Sequence, residues 1–590
     1  MCGITGIIKL DGDTSPDVIL KMNNSLIHRG PDCGNFYISE NKKIALGHRR
    51  LSFLDLSDDA SQPMRDISRR LTLVFNGEIY NYLELKEELQ LYYDFKTKSD
   101  TEVILAGYIK WGIDVVNKLK GMFAFTLLDE RENRLFMVRD RFGIKPLYYS
   151  ICDDKLIFAS ELKAVLASNE VPNEIDFSAF CDFFVYRYIP SPKTIWQNVK
   201  KLEPAHYIEI NTENLTHKLT EYWRLKSGEN IRDEVEIISK VNSILSTSVC
   251  EHVRADVPIG SFLSGGYDSS ALVLLMKKIK LNPETFSIGF SNWEKSEDQY
   301  ATIVARHLEV PNKVMVADEK SLELIDLLSQ VYDEPLADIS IVPTYLVSKL
   351  AKSSVKAVLS GEGADEIFGG YSWQKDFFKL STTSSFLKRI RNKFKPIDTV
   401  DFYANAMAMG FFDSSELKKM LHPNLHKYVP KDVHWFYRKH FKGELSALKS
   451  IQYLDMKCFM GELVLTKVDR ASMANSLEVR VPFLDHELLE YIFDLKETSY
   501  FKPEFTKFAL YKNISQDLPI EILNRQKQGF VGPDSYYMNI EWYKDQLKNC
   551  KLVEYKLINQ SYLDNLMNET YTWKLWKILI MEKWFKKWAL

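Results

Sequence analysis

Cysteine is scarce in this sequence, and long apolar runs are missing. Seven cysteines are spread over 590 residues without a C-x-x-C pair. A disulfide framework or a cysteine zinc site is therefore not expected, and a reducing, cytoplasmic compartment fits better. No apolar run reaches the roughly 18–20 residues that a membrane-spanning helix needs, so no membrane span is expected. The first residues also lack the basic and apolar regions of a signal peptide.

An excess of basic residues is missing too. Lysine and arginine together number 77 against 80 acidic residues, which gives a formal net charge of −3. Proteins that coat nucleic acid usually carry a strong basic excess, so no nucleic-acid partner is expected. Glycine and proline, at 25 and 20 residues, are too few for a fibrous or disordered chain. At roughly 100–200 residues per domain, the length predicts at least two globular domains.

The first 200 residues are dominated by short apolar runs between charged turns. Segments 71–75, 121–128 and 134–139 have the length and alternation of strands, whereas 82–91 and 101–111 have a helical pattern. This mixture predicts an α+β domain in which sheets dominate.

A polar, proline-containing stretch between residues 190 and 230 precedes a second pattern. A helical period begins near 231, and strands then alternate with helices. The strands are expected at 260–263, 285–290, 313–316 and 355–359. Such repetition predicts a parallel, doubly wound sheet. We therefore divide the chain into a first domain (1–210), a second domain (231–535) and a helical C-terminal extension (536–590).

Tryptophans recur at helical spacing near the C-terminus, at positions 573, 576, 584 and 588, with lysines on the other faces. A basic amphipathic helix of this kind can bind a membrane surface. Burial of the apolar stripe against the protein's own domain explains the same pattern without a further partner. We predict the docked helix and keep the membrane-surface helix as the alternative.

Cys2 becomes the first residue once the initiator methionine is removed, as is usual before a small residue. One residue then carries both a thiol and an α-amine, and an amine with a pKa near 8 can act as the base for that thiol. This arrangement activates a nucleophile without a histidine partner. Cys2 is therefore a candidate catalytic nucleophile.

Six further motifs accompany Cys2 at fixed spacing. After CGITGI they are HRGPDCG (28–34), GHRRLSFLD (47–55), FNGEIYN (75–81), SDTEV (99–103), GMFAF (121–125) and RDRFGIKPLYY (139–149). Together they resemble the class II, N-terminal-nucleophile glutamine amidotransferase domain, and the resemblance implies an αββα sandwich for this region. It also implies catalytic roles for Cys2, Asn76 and Gly77, and glutamine-binding roles for Arg50, Asn76, Gly77, Glu78 and Asp100.

The residue types suit glutamine hydrolysis. A thiolate that attacks an amide carbonyl creates an oxyanion, which needs fixed donors such as the Asn76 amide and the Gly77 N–H. Arg50 is suited to the α-carboxylate of free glutamine by bidentate pairing, and Asp100 is suited to its α-ammonium. The adjacent Arg49 leaves the register of the arginine open, and Asn76-Gly77 in isolation would predict a hairpin turn.

A second group of motifs begins with LSGGYDSS (263–270), between a predicted strand and a predicted helix. Small side chains and several N–H groups at a helix N-terminus bind phosphate well, although the Walker A pattern is absent. The segment resembles the pyrophosphate loop of enzymes that adenylate a carboxylate with ATP and release AMP and pyrophosphate. The resemblance implies ATP or pyrophosphate contacts from Leu263, Ser264, Gly265, Gly266, Asp268, Ser269, Ser270, Ile288, Ser360 and Gly361.

The loop SGEGADEIFGGY (360–371) follows the strand predicted at 355–359. Loops at the carboxyl ends of parallel strands meet at one crevice, which would bring Asp268 and Asp365 together. Two carboxylates and phosphate oxygens form a natural Mg²⁺ site, and capping of the following helices is the alternative role for both aspartates. Glu362 is a candidate to steer ammonia or to accept its proton.

Three later segments complete the second resemblance. TKVDRASMANSLEVRVPFLD (466–485), FTKFALYK (505–512) and QKQGFVGP (526–533) resemble the synthetase domain of the asparagine synthetase family, over about 235–535. By this resemblance Lys507 stabilises the adenylation transition state, and Lys527 is a second phosphate-facing candidate. Arg470 and Lys467 either line the site or form structural ion pairs with Asp469, Glu478 or Asp485.

Both resemblances imply an ATP- and Mg²⁺-dependent amidation in which ammonia from glutamine attacks an acyl-adenylate, with aspartate as the first acceptor to consider. An ammonia tunnel and a homodimer are expectations from the family. Tyr267 stands where relatives typically have an aliphatic residue. The same chemistry on another carboxylate, such as a sugar uronate in bacterial envelope polysaccharide synthesis, therefore stays open. A non-catalytic sensor or scaffold that binds glutamine or nucleotide is the alternative from another class.

Overall fold

The computed structural model describes residues 2–152, 154–382, 398–569 and 572–590. Within these ranges the N-terminal region contains two six-stranded antiparallel sheets. In spatial order, the first sheet consists of Lys200–Lys201, Tyr148–Cys152, Lys155–Ala159, Gly3–Lys9, Ile44–Arg50 and Cys33–Ile38. The second consists of His217–Glu221, His206–Asn211, Arg134–Arg139, Gly121–Asp129, Leu71–Ile79 and Met64–Asp66.

Helices cover the outer face of each sheet, and apolar side chains fill the space between the sheets. The layer between the sheets includes Ile4, Leu46, Ala124, Met137 and Phe158. The outer helices are Pro16–Asn24 and Leu162–Ala167 on the first sheet, and Tyr82–Leu89 and Thr101–Trp111 on the second. The predicted αββα sandwich and its two predicted helices are confirmed.

The second sheet continues beyond residue 210, where the sequence suggested that the first domain ends. His206–Asn211 pairs antiparallel with His217–Glu221, so residue 210 lies inside a strand. The last strand is polar because it forms the edge of its sheet, and edge strands are commonly polar. We therefore place the end of the first domain after Glu221.

A five-stranded parallel sheet forms the centre of the second region. Its spatial order is Asn312–Ala317, Thr285–Phe290, Ile259–Phe262, Ala357–Leu359 and Glu478–Arg480. The chain moves outward from Ile259–Phe262 in one direction and then returns to its other side. The predicted doubly wound sheet is confirmed, with a topological switch point between Ile259–Phe262 and Ala357–Leu359. Ligands bind at such points, outside the carboxyl ends of the strands.

Helices surround this sheet. Those before residue 383 include Glu234–His252, Tyr267–Lys278, Asp298–His307, Ile325–Val331, Ile341–Lys352, Ala364–Phe368 and Ser372–Thr382. Those after residue 397 include Thr399–Met407, Ser414–Met420, Trp435–His440, Ala447–Leu454, Leu465–Met473, His486–Asp494, Phe508–Ile514, Ile540–Gln546 and Gln560–Glu569. A π-helical segment, Asp455–Val464, connects Ala447–Leu454 to Leu465–Met473 without a break.

The C-terminal helix, Thr572–Trp588, docks on the protein itself. Trp576 and Trp584 are buried, and their indole N–H groups donate to the backbone oxygens of Ala337 and Asp333 at 3.2 and 3.1 Å. The ring of Trp196, from the first region, lies 5.5 Å from that of Trp584. The docked-helix prediction is confirmed. Among the helices described here, none has the length and apolar character that crossing a bilayer requires.

A buried ion cluster joins the two regions. Arg29 donates to Glu161 at 2.8 Å and to both oxygens of Asp469 at 2.8 and 3.0 Å. Arg470 pairs with Glu161 at 2.9 Å and with Asp333 at 3.3 Å. Arg470 therefore has a structural role, but these partners are not the three acids that the sequence suggested. Glu161 and Asp333 belong to segments that are distant in sequence and that only the tertiary fold brings close to Arg470, so local sequence could not identify them.

Candidate active sites

The residues predicted to process glutamine meet at one small pocket. Cys2, Arg50, Gly77, Glu78 and Asp100 all border it. Cys2 precedes the first strand, Arg50 ends another, Gly77 and Glu78 lie in a third, and Asp100 precedes the helix Thr101–Trp111. The face-to-face packing of the two sheets therefore places these distant residues together.

Cys2 is held by its backbone. Its N donates to Asn76 Oδ1 at 2.9 Å, and its O accepts from Arg29 Nε at 3.0 Å. Burial raises the pKa of the Cys2 thiol, although the nearby amino terminus opposes this effect, so a thiolate needs a local base. Met1 lies outside the described residues. Once Met1 is removed, the Cys2 nitrogen is the α-amine that can serve as this base.

Asn76 offers a hydrogen-bond donor beside the thiol. Its Oδ1 is used by Cys2, whereas its Nδ2 is buried without a partner among the residues that the structure describes. A buried amide donor without a partner costs free energy unless a bound ligand accepts its hydrogen bond. The next residue must be glycine, because a Cβ on Gly77 would lie 2.1 Å from the backbone oxygen of Met122 in the paired strand. The pair therefore lies in a strand, and the hairpin-turn alternative does not hold.

Changing Asn76 to aspartate keeps the Oδ1 acceptor for Cys2 and removes the free donor. We expect kcat for glutamine hydrolysis to fall by about 10²–10³, the usual loss for one oxyanion donor, while ammonia-dependent amidation changes little. Glutamate release measures the first rate. Asn81→Asp is a matched control, because the Asn81 amide donates to the Lys118 backbone oxygen. Unchanged glutamate release by Asn76→Asp would exclude the side chain as an oxyanion donor.

Of the two neighbouring arginines, Arg50 borders the pocket. Arg49 turns to the other face of the strand, where its Nε donates to the Asn23 backbone oxygen at 3.2 Å. Arg50 Nη1 donates to the backbone oxygen of Ser57 at 2.8 Å. These carbonyl contacts fix the guanidinium without neutralising its charge. Arg50 is therefore oriented for an anionic group in the pocket.

Asp100 is a buried carboxylate at the other side of the pocket. Its Oδ2 accepts a hydrogen bond from the Ile79 N–H at 2.8 Å. Burial raises the pKa of Asp100 to about 6, although this hydrogen bond and Arg480 oppose the shift. Asp100 is therefore ionised at neutral pH and becomes neutral only slightly below it.

The raised pKa of Asp100 predicts a pH dependence for glutamine binding. An ionised Asp100 attracts the glutamine ammonium, and this attraction is lost as the pH falls through about 6. We expect KM for glutamine to rise by up to about tenfold per pH unit below 6. Asp100→Asn should show a high KM at every pH and no such slope. Ammonia-dependent activity at each pH is the control, and an unchanged slope in Asp100→Asn would contradict the assignment.

Glu78 is tied to the second region rather than free in the pocket. Arg480 Nη2 lies 3.2 Å from Glu78 Oε1, and Arg480 belongs to the edge strand of the parallel sheet. Burial raises the pKa of Glu78 despite the arginine. Arg480 was not found from the sequence, although it lies within the quoted 466–485 segment. It gives the first pocket a direct contact with the second region.

A larger cavity of about 750 Å³ lies at the switch point of the parallel sheet. This volume is within the usual range for a small-molecule site. The predicted residues that border it are Leu263, Ser264, Asp268, Ser269, Ile288, Ser360, Gly361, Glu362 and Asp365. The two predicted loops therefore meet there, as the rule for doubly wound sheets requires.

The remaining residues of the first loop shape it from outside the cavity. Gly265 and Gly266 form the bend between the strand Ile259–Phe262 and the helix Tyr267–Lys278. Ser264 N donates to Ser269 Oγ at 3.2 Å, which closes the loop. Ser270 is fully buried in the helix and is not brought to the cavity. Successive residues of a helix point about 100° apart, and this rotation turns Ser270 away from the cavity that Asp268 and Ser269 border.

Two carboxylates and one lysine, Lys527, border this cavity, and a second lysine, Lys507, contacts both carboxylates without bordering the cavity itself. Lys507 Nζ lies 2.6 Å from Asp268 Oδ1 and 2.7 Å from Asp365 Oδ1. Lys527 Nζ lies 2.5 Å from Asp365 Oδ2. Burial alone would raise the pKa of Asp365, but the two lysines outweigh it and hold the pKa at about 2. Both lysines thus lie beside carboxylates, and Lys527 borders the cavity.

Lys507 adopts a strained backbone conformation to reach this position. Its φ is +53°, a left-handed value that costs a non-glycine residue roughly 1–2 kcal/mol. Gly370 leaves the necessary space, since a Cβ there would lie 2.4 Å from Lys507 Cε and 1.9 Å from Asp365 Oδ1. Strain of this kind is commonly found at functional sites.

The donor set fits Mg²⁺ only together with a ligand. Asp268 and Asp365 supply carboxylate oxygens, but no group of three metal-ligating side chains occurs in the part of the chain that the structure describes. Mg²⁺ commonly binds through one or two carboxylates and substrate phosphates. The two aspartates therefore suit a metal ion that arrives with a phosphate ligand.

Several residues at this cavity were not found from the sequence. Arg525 donates to the Ser264 backbone oxygen at 2.9 Å and to Glu297 Oε1 at 2.8 Å, which fixes the first loop. Its position beside the QKQGF motif was the available signal. Arg187 and Asp338 also border the cavity, and nothing in their local sequence indicated this.

Lys467 borders the same cavity, which is one of the two positions predicted for it. Its Nζ donates to Ser340 Oγ at 2.7 Å, and Ser340 in turn donates to Asp338. The pKa of Asp338 is lowered overall, because the charges of Lys467 and Arg187 outweigh the effect of burial, which alone would raise it. Arg187 Nε is buried and has no partner in the described ranges. Two cations, Lys467 and Arg187, therefore lie near one carboxylate, Asp338, in the lining of this cavity.

Comparison with known proteins connects both sites to one family. The sequence-family model of the glutamine amidotransferase domain matches residues 1–223, and the sequence-family model of asparagine synthase matches residues 240–586. The chain belongs to the asparagine synthase family. The second match includes most of the C-terminal helices, which the sequence had suggested as a separate extension.

Relatives of the family match along most of the chain. Asparagine synthetase (glutamine-hydrolyzing) 1 of Bacillus subtilis is 33% identical over 99% of this chain and 96% of its own length. A putative asparagine synthetase of Methanocaldococcus jannaschii is 35% identical over 82% of this chain and its full length. Amidase chry2 of Gibberella zeae is 28% identical over 91% of this chain. The protein is therefore a glutamine-dependent, ATP-using amidating enzyme of the asparagine synthase type.

Proposed function

We propose that this enzyme transfers the amide nitrogen of glutamine to the side-chain carboxylate of aspartate through an acyl-adenylate. The observation that carries the proposal is the presence of two complete and different sites in one chain. Cys2 lies beside the partnerless Asn76 amide, and Lys507 links Asp268 to Asp365 at the switch point. The first arrangement suits amide hydrolysis, and the second suits chemistry on ATP.

In the first half-reaction, the Cys2 thiolate attacks the glutamine carboxamide and forms a thioester. The α-amine takes the thiol proton and delivers it to the leaving ammonia. Asn76 Nδ2 and the Gly77 N–H stabilise the oxyanion. Arg50 and Asp100 bind the α-carboxylate and α-ammonium of glutamine, and water then releases glutamate from Cys2.

In the second half-reaction, an acceptor carboxylate attacks the α-phosphorus of ATP and pyrophosphate leaves. Lys507 and Lys527 stabilise the negative charge that develops on the phosphates. Mg²⁺, held by Asp268 and Asp365 with phosphate oxygens, would supply further charge neutralisation. Ammonia then attacks the acyl-adenylate, AMP leaves and the amide forms. Glu362 borders the cavity, and its buried Oε2 has no partner within the described residues, which supports a role for Glu362 in accepting the proton from nitrogen.

Three further residues that border the cavity are suited to the acceptor's other charged groups. Arg187 and Lys467 are suited to the α-carboxylate of aspartate, and Asp338 is suited to its α-ammonium. This combination of two cations and one carboxylate supports an amino acid as acceptor.

Another carboxylate acceptor, such as a sugar uronate, is the second candidate. The large cavity, the free Nε of Arg187 and the similarity to an enzyme named amidase favour it. In that case Asp338 would accept hydrogen bonds from sugar hydroxyls instead of an ammonium.

A turnover assay distinguishes the acceptors. The purified enzyme is given glutamine, Mg²⁺-ATP and either aspartate, glucuronate or galacturonate, and pyrophosphate release is followed. Aspartate-dependent release with asparagine as product supports the proposal. Release with a uronate and none with aspartate supports the second candidate. Binding of glutamine and ATP without turnover on any acceptor would favour a sensor or scaffold.

A further inference from the structure

A third cavity, separate from the two candidate active sites, lies where the two regions meet. It measures about 220 Å³. The first region and the segment after it contribute Arg141, Phe142, Glu203, His206, Glu221, Trp223 and Arg224. The helical region contributes Lys439, His440, Lys442, Tyr453, Lys457 and Glu462. We call it the junction cavity.

Positive charge in the junction cavity exceeds negative charge. Five cations face three carboxylates, and each carboxylate is already engaged. Glu203 pairs with Lys439 at 2.6 Å, and Glu221 pairs with Arg224. Glu462 accepts a hydrogen bond from Ser191 N at 3.2 Å. The carboxylates therefore form no direct ion pair with the remaining cations in the part of the chain that the structure describes.

Three cations form no ion pair with a carboxylate. The Lys442 and Lys457 side chains form no hydrogen bond or ion pair with any residue that the structure describes. Glu221 and Glu203 lie near enough to Lys457 to raise its pKa, but the larger effect of burial lowers it. Arg141 donates to the backbone oxygens of Leu119 and Asn117 at 2.6 and 3.4 Å, which leaves its charge intact. Half-buried lysines that point into a cavity without partners are unusual, because burial disfavours the charged form.

His440 borders the junction cavity together with three lysines, Lys439, Lys442 and Lys457. Burial, together with the smaller effects of the charges on Lys457, Lys439 and Lys442, lowers the pKa of His440 to about 3. His440 is therefore neutral at pH 7 and adds nothing to the charge. The lysine contributions to this shift show that these three cations lie close to the His440 ring.

One wall of the junction cavity is aromatic. The rings of Phe142 and Trp223 lie 5.5 Å apart, edge to face, and Tyr453 borders the same space. The Trp223 indole N–H donates to Glu490 at 2.6 Å, which fixes the ring. The cavity therefore combines a cationic side with an apolar, immobilised side.

From this arrangement we propose that the junction cavity binds a phosphate group, either inorganic phosphate or the phosphate of a small ester. Phosphate carries up to two charges and three acceptor oxygens, which matches the three unpaired cations better than a single carboxylate does. The aromatic wall leaves room for the organic part of an ester. Met456 and Lys457 of the π-helical segment line this cavity, while Phe459 and Met460 line the synthetase cavity. A bound phosphate therefore contacts the segment that separates the two cavities.

Calorimetric titration of the full-length enzyme with inorganic phosphate at low salt tests the proposal. Lys442→Glu places a carboxylate in the cavity, and Lys457→Met removes a charge while keeping the chain length. Each should weaken this binding at least tenfold. Lys431→Glu makes the same charge change at an exposed lysine outside the cavity and should have no effect. Lys527→Met weakens phosphate binding in the synthetase cavity and should leave the junction cavity unchanged.

The sources of the phosphate are compared in the Lys527→Met variant. Each ligand is titrated with and without the additional Lys442→Glu change, so that only the binding lost with Lys442→Glu is assigned to the junction cavity. For that binding, a higher affinity for AMP than for inorganic phosphate or pyrophosphate would assign the aromatic wall to an organic group, and equal affinities would assign free phosphate. Wild-type affinity in both Lys442→Glu and Lys457→Met, or loss of all phosphate binding in Lys527→Met, would overturn the proposal. If Lys457→Met does not fold, Lys442→Glu decides alone, because Lys442 is partly exposed.

Discussion

The Cys2→Ala enzyme should be unable to use glutamine and should still form the amide from ammonium salts. Alanine keeps the backbone bond from Cys2 N to Asn76 Oδ1 and removes only the nucleophile, so the fold and the second site are unaffected. We expect glutamine-dependent amide formation to fall by at least 10³-fold, since no other thiol borders this pocket in the described residues. Amide formation with glutamine and with ammonium chloride, at equal ATP, measures the difference.

Cys33→Ala is the matched control for this result. Cys33 is a partly exposed free cysteine in a strand of the same sheet, and it does not border the pocket. Its replacement should leave both nitrogen sources usable. Glutamine-dependent activity in Cys2→Ala would show that the nucleophile is elsewhere. Loss of both activities would show that Cys2 supports the fold rather than the chemistry.

Lys507→Met should reduce amide formation from either nitrogen source by about 10²–10³, the range for loss of one charged group that stabilises a transition state. Lys507 is 2% exposed and contacts both Asp268 and Asp365. Without it the two carboxylates repel each other, which raises the pKa of Asp365 from about 2. KM for glutamine should not change, because the first pocket is untouched.

Pyrophosphate release and glutamate release separate the two effects of Lys507→Met. Pyrophosphate release should fall, while glutaminase activity without ATP stays at the wild-type level. Lys512→Met is the control, because Lys512 lies exposed on the helix Phe508–Ile514 that follows Lys507. A normal rate of pyrophosphate release in Lys507→Met would remove this lysine from the adenylation site.

Local motifs were enough to predict most of each candidate site. Cys2 and Asp100 are far apart in sequence, yet the motif resemblance assigned them to one pocket, and the two sheets do bring them together. The strand–helix alternation likewise predicted that Asp268 and Asp365 would meet at the carboxyl edge of the parallel sheet. Both predictions depend on general rules of fold geometry rather than on side-chain detail.

Contacts between distant segments could not be predicted. Arg29 pairs with Asp469, 440 positions away, and the choice among several nearby acids depends on how the two regions dock. The same reason hid the pairing of Arg470 with Glu161 and Asp333. Charge alone does not identify a partner when each segment contains several acids.

Side-chain direction was a second limit. LSGGYDSS suggested that every small residue contacts phosphate, whereas the helix turns Ser270 into the core and leaves Ser269 at the cavity. The strand His217–Glu221 was similarly hidden, because a polar edge strand and a polar linker have the same composition. Pairing with a neighbouring strand distinguishes them, and pairing is not a local property.

The central claim is that nitrogen released at Cys2 is used at the Lys507 site of the same enzyme. Glutamine labelled with ¹⁵N in its amide is supplied with Mg²⁺-ATP, the acceptor and an excess of unlabelled ammonium at neutral pH. We predict an amide product that carries mainly ¹⁵N, with one AMP, one pyrophosphate and one glutamate formed for each amide. A product labelled only to the extent of the mixed ammonia pool, or the formation of ADP and phosphate instead of AMP and pyrophosphate, would contradict the claim.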